Sequence, residues 1–140
     1  MMGNDTLVQE MIQTGRALME ACGKLDVAGV EQAKAEDRYR HAKSVGMVKL
    51  AGVGKNVQER EARVFLERVE DRDGDPVTVG DLRYLRDIAE ASASSALERV
   101  RSLRGILSGL QTQANALKEE AKLANTGPNP DWSRGSGMGS

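Results

Sequence analysis

The 140-residue chain has one cysteine, one histidine, three prolines and a 3% aromatic content made up of one Trp, two Tyr and one Phe. Each shortage excludes something. One cysteine, Cys22, allows no intrachain disulfide, and a reducing cytoplasm is the natural setting. One cysteine and one histidine, His41, cannot assemble a zinc or iron constellation. With the single His in a charged stretch, no nucleophile–His–acid set can be composed either, so the chain reads as non-enzymatic and without a cofactor. Few aromatics mean few large anchors, so stability must come from many small contacts spread along an interface. A formal net charge of −1 argues against a strongly basic nucleic-acid binder. No run approaches the ~18 apolar residues of a membrane span, and the opening Met-Met-Gly-Asn-Asp lacks a signal-peptide pattern. The expected setting is the cytoplasm, with no membrane partner.

What the chain has is periodicity. Leu82, Ala89, Ala96, Leu103, Leu110, Leu117 and Ala124 recur every seven residues. A second row, Ala93, Val100, Leu107, Ala114 and Ala121, is interleaved with it. Alternating steps of three and four place both rows on one narrow helical stripe, the seam of a coiled coil. A helix over 79–124 would be roughly 65 Å long at 1.5 Å per residue, and its stripe requires cover. Earlier in the chain Leu7, Met11, Leu18, Ala21, Leu25, Ala28, Ala35, Tyr39 and Ala42 keep a similar rhythm, interrupted at Thr14 and Gln32. Thr6 with Gln9, or Asp5, caps this first helix, expected over about 5–51 and firmest over 31–50. Gly15, Gly23 and Gly29 each cost about 1 kcal/mol against alanine there.

Gly52-Val53-Gly54-Lys55 breaks the pattern and Asn56, with Glu59 three residues on, restarts it: a tight helix–helix corner. A second helix is expected over 57–71, with Ala62, Phe65, Leu66 and Val69 inward and Glu59 paired to Arg63. Asp71 to Pro76 stops it, and Thr78 with Asp81 caps the long third helix. The fold expected is all-α: a long antiparallel helical hairpin or coiled coil of three helices over 1–125. A flexible, disordered C-terminal tail over 126–140 follows, rich in Gly, Pro, Ser and Asn.

Two motif likenesses fail on inspection. Gly52 to Asn56 has Lys49 where a phosphate loop needs its first glycine, and Asn56 where it needs Ser or Thr. Asp71, Asp73 and Asp75 match the first three ligand spacings of an EF-hand loop, but Pro76 replaces its glycine and Leu82 its final Glu. Charge is more informative. Lys34, Arg38, Arg40, Lys43, Lys49 and Lys55 make 34–55 basic, whereas 59–75 is acidic. In a hairpin these stretches lie side by side and neutralise one another. Alternatively Arg38, Arg40, Lys43, Lys49 and Lys55, with Arg99, Arg101 and Arg104, contact nucleic-acid phosphates.

Three stretches then carry a resemblance: Ala33-Lys34-Ala35-Glu36 with Tyr39-Arg40 and Ala42-Lys43; Gly54-Lys55-Asn56 with Glu59-Arg60-Glu61-Ala62; and Leu97 to Arg104 leading to Leu110-Gln111-Thr112-Gln113. Their order over 31–120 resembles a loose group of small helical coiled-coil bacteriophage proteins encoded near recombination and single-strand-annealing genes. The resemblance implies a phage-encoded accessory to DNA recombination or replication in a bacterial host, and carries over no site residue. The Asp-Gly-Asp-Pro turn departs from the group, whose second helix would run straight into the third. The function expected is a coiled-coil interaction protein. Its oligomer seam would be Ala96, Val100, Leu103, Leu107, Leu110, Ala114 and Leu117, and its partners a second copy of itself and a further protein. Direct nucleic-acid binding and a structural role in the virion are the alternatives.

Overall fold

A computed structural model describes residues 3–126; the expected tail beyond them lies outside the described residues. The all-α expectation is met: three helices make up 82% of the described residues. They are α1 (Asn4–Lys49), α2 (Val57–Val64) and α3 (Val79–Thr126), and between the last two stands a small antiparallel sheet of β1 (Arg68–Glu70) and β2 (Pro76–Thr78). The chain divides into two compact units, one drawn from 3–18 and 102–126, the other Met19–Arg101.

In the second unit α1 and α3 run antiparallel. Gly46 of α1 faces Val79 at the start of α3, while Tyr39, two turns earlier, meets Arg86, two turns later. The core of the unit lies at this end, where Tyr39, Ala42, Val64, Val69, Val79 and Leu82 are buried together. The chain reverses through the predicted corner. Gly52 and Gly54 adopt φ of 81° and 86°, a left-handed conformation that side-chain-bearing residues rarely take. Asn56 then caps α2, its Oδ1 accepting from the Glu59 amide at 2.8 Å while Glu59 Oε2 accepts from the Lys55 amide. The Glu59–Arg63 pair forms at 3.0 Å, and Thr78 Oγ1 caps α3 by accepting from the Asp81 amide.

The second helix is shorter than 57–71. It stops at Val64, and the chain from Arg68 to Thr78 forms a β-hairpin instead. Of the four residues expected inward, Val69 is buried but on β1, Phe65 is half-buried, and Ala62 and Leu66 are exposed. The reason is local. Asp71-Arg72-Asp73-Gly74 closes a turn in which Gly74 (φ 85°) donates its amide to Asp71 O and Asp71 donates to Asp75 O. That is a type I turn with a glycine bulge, and it aligns Val69 with Val77 across the strands. The junction is closed by Gly80, whose amide donates to Phe65 O; a Cβ there would stand 2.8 Å from that oxygen, so the position excludes a side chain.

Both seven-residue rows are covered within the single chain. On α1 the positions Leu7, Thr14, Ala21, Ala28, Ala35 and Ala42 are all buried or half-buried, Thr14 included. On α3 the row is covered from Leu82 to Leu117, and only Ala121 and Ala124 stand exposed. The stripe assigned to an oligomer is therefore an intramolecular surface: Val100 is 1% exposed, with Leu103 and Leu110 also buried. Ala96, Leu107, Ala114 and Leu117 are half-buried beside them. The row expected as a bare oligomer seam is thus buried or half-buried within the single chain from Leu82 to Leu117.

Helix α1 continues unbroken through Gly15, Gly23 and Gly29, and a Cβ at any of them would meet nothing within 4 Å. Gly29→Ala is therefore expected to raise stability by about 1 kcal/mol. A denaturant midpoint that falls instead would mean that something packs on that backbone.

Candidate interaction groove

Charge pairs first decide which side chains remain available. The acidic stretch pairs with two of the six basic residues of 34–55, Arg38 and Lys49. Arg38 donates to Asp71 Oδ2 through Nε at 3.0 Å and Nη2 at 2.8 Å. Arg72 makes a two-pronged contact with Asp37 at 2.7 and 3.1 Å, and Lys49 reaches Glu67 at 2.8 Å and the Arg68 carbonyl at 3.1 Å. Together they clamp the β-hairpin and the residue before it, Glu67, onto α1. Arg40 pairs with Glu36 and Arg101 with Glu98. Of the eight residues proposed for nucleic acid, four (Arg38, Arg40, Lys49 and Arg101) pair with carboxylates, Arg40 and Arg101 in exposed contacts and Arg38 with the buried Asp71. Lys43, Lys55, Arg99 and Arg104 have no carboxylate partner among the described residues. They are scattered over α1, the corner and α3 and share no single patch-forming element.

The one buried carboxylate among the described residues, Asp71, is structural. Asp71 is held below the usual carboxylate range chiefly by its hydrogen bonds from Arg38, against the opposing effect of burial; the Arg72 amide and the nearby His41 lower it further. Its Oδ1 has no well-aligned hydrogen-bond partner. Asp73 and Asp75 are exposed on the turn. Among the described residues no three His, Cys, Asp or Glu side chains converge as a metal site would require. Cys22 is half-buried and free, and Gly52 to Asn56 is a reversal corner.

Apolar side chains that neither seam absorbs are gathered elsewhere. In the second unit α1 and α3 enclose an open groove of about 590 Å³. From α1 it takes Gly23, Val27 and Ala28, with Glu20, Lys24 and Glu31 along the edge; from α3 it takes Leu85, Ile88, Ala89 and Ser92. The seam is lined by small residues here: Ala21 and Ala93 are buried in it, and Ala28 and Ala89 are half-buried at its margin. Small side chains leave Val27 (64% exposed), Ile88 (47%) and Leu85 (44%) facing solvent. An apolar trough edged by charge is the shape that receives the apolar face of another helix.

Sequence reading missed this groove. The signal was present: Val27 and Ile88 each stand one residue before a seam alanine, Ala28 and Ala89, so both broaden the apolar stripe on the same flank. Among the described residues no helix is long and apolar enough to cross a membrane. Comparison with protein-family models, with curated proteins and with solved structures finds no match for this chain.

Proposed function

We propose that the chain is a non-enzymatic helical interaction protein that works by docking a partner helix in the groove between α1 and α3. The observation that carries this reading is the open apolar trough of about 590 Å³, with Val27 and Ile88 left largely in water. Keeping such side chains exposed forgoes about 25 cal/mol per Å² of burial, and a partner's apolar face recovers it. Helices supply regular walls and the ion-paired hairpin braces one end, so the trough is preformed. The resemblance to phage recombination accessories names the kind of assembly such a module would serve.

Phosphate contact is the weaker proposal. Arg38 is held by the buried Asp71 carboxylate, and stacking aromatics are scarce: Tyr39 is buried in the core with Arg86 over its ring at 4.5 Å. The groove is tested with 1-anilinonaphthalene-8-sulfonate at protein concentrations low enough to keep the chain a single copy. Saturable binding is expected, reduced severalfold by Ile88→Glu with helicity unchanged. Equal dye binding by this variant would remove the groove as a docking surface.

A further inference from the structure

The edge of the groove carries an ordered set of charges. On α1 it runs Glu20, Lys24, Val27, Glu31 and continues one step past the groove to Lys34, with steps of four, three, four and three. This is a second seven-residue row, distinct from the buried one through Ala21, Ala28 and Ala35, and every member is exposed. Its signs read minus, plus, apolar, minus, plus. Turned end for end, the order becomes plus, minus, apolar, plus, minus, so each position meets its opposite.

We infer that the occupant of the groove is a second copy of this chain, antiparallel, with the two-fold axis at Val27; this rests on the groove being a docking surface. In that arrangement Glu20 stands opposite Lys34 of the other copy, Lys24 opposite Glu31 within one residue, and Val27 opposite Val27. A parallel, in-register copy would stack each charge on its like, so the row excludes that pairing as well as favouring the other. The contact is self-complementary, as a two-fold interface must be.

The charges are available for it. Within the chain Glu20 pairs with Lys24 at 3.3 Å and Glu31 with Lys34 at 3.8 Å, all four side chains in solvent. Exposed pairs of this kind contribute little, so exchanging partners costs little. Gly23 lies inside the row with open space where a Cβ would be, which permits close approach of a second backbone beside Val27. Leu85 and Ile88 of each copy flank the axis and are covered together.

Sedimentation velocity across a concentration series tests this on the full chain. A monomer–dimer equilibrium is expected, weakened at least about tenfold by Glu31→Lys, which sets Lys24 against a lysine. Adding Lys24→Glu to that variant restores opposite signs in the antiparallel register and is expected to restore the dimer. A parallel pair would stay repelled. A wild-type chain that remains monomeric to about millimolar concentration would overturn the inference, as would a double variant no tighter than the single one. If the dye still binds in an Ile88-dependent manner under either outcome, the groove stands and only its occupant is wrong.

Discussion

Replacing Arg38 with Met is expected to destabilise the second unit by about 3 kcal/mol at neutral pH, out of proportion to a partly exposed residue. The reason lies in its partner. Asp71 is only 4% exposed at its side chain and receives both of its strong hydrogen bonds from Arg38, which is itself 40% exposed. Removing one member of a buried pair strands the other charge, at a general cost of about 3–5 kcal/mol. Water reaching the Arg38 side places this pair at the lower end of that range. Adding Asp71→Asn should then recover much of the loss, because no ion remains to be buried. The exposed pair between Arg72 and Asp37, beside it on the same hairpin, is the internal control. Its loss through Arg72→Ala should cost less than about 1 kcal/mol despite equally short distances.

The same pair predicts a pH dependence. The carboxyl of Asp71 is held below its ordinary value in the folded chain. Its contribution is therefore complete above the unfolded pKa, near 3.9, and is lost as pH falls through the lower folded value. Wild-type stability should decline in that acid window. In Arg38→Met the stranded carboxyl instead prefers its proton, so the gap between variant and wild type should narrow on acidification. Urea midpoints at pH 7 and pH 4 read the narrowing gap, and a third at about pH 2.5, below the unfolded pKa, reads the wild-type decline. A variant within 0.5 kcal/mol of wild type at pH 7, taken as about the size of an ordinary surface change, would show that the clamp is ornamental.

How much of this was legible differs from element to element. The two long helices were, because seven-residue rows report directly on which face is covered; even Thr14 and Gln32, which interrupt the α1 row chemically, are partly covered. Caps at Asn56 and Thr78 and the glycine corner were legible for the same reason, being local chemistry. The β-hairpin was not, because Arg68 to Thr78 contains only three residues of alternation on each side of its turn, and Asp-Gly beside Pro also satisfies a simple helix stop. What covers a seam was the harder question. A row on α3 states that cover is required and not whether α1 or another chain supplies it; the answer depends on how completely the weaker α1 row fits against it. The groove escaped notice because its apolar residues belong to two helices some sixty positions apart and form no row within either one.

That ambiguity about the seam has a decisive test. Val100→Asp places a carboxylate where the wild-type side chain is 1% exposed. Burying an unpaired charge costs several kcal/mol, a large share of the 5–15 kcal/mol typical of a whole domain. Because the cover is intramolecular, the loss should appear as a collapse of helical circular dichroism at every protein concentration. Val100→Thr, similar in shape and burying only a hydroxyl, should lower stability by about 1–3 kcal/mol and leave the helices formed. Val27→Asp should keep full helicity and stability, since that side chain is in water in the single chain, and should change only association. A Val100→Asp chain that kept its helicity and altered only its mass would return the seam to an oligomer contact. The expected pattern assigns the two rows of this protein to different work: Ala21, Val100 and their neighbours hold one chain together, and the row centred on Val27 is left to join it to another.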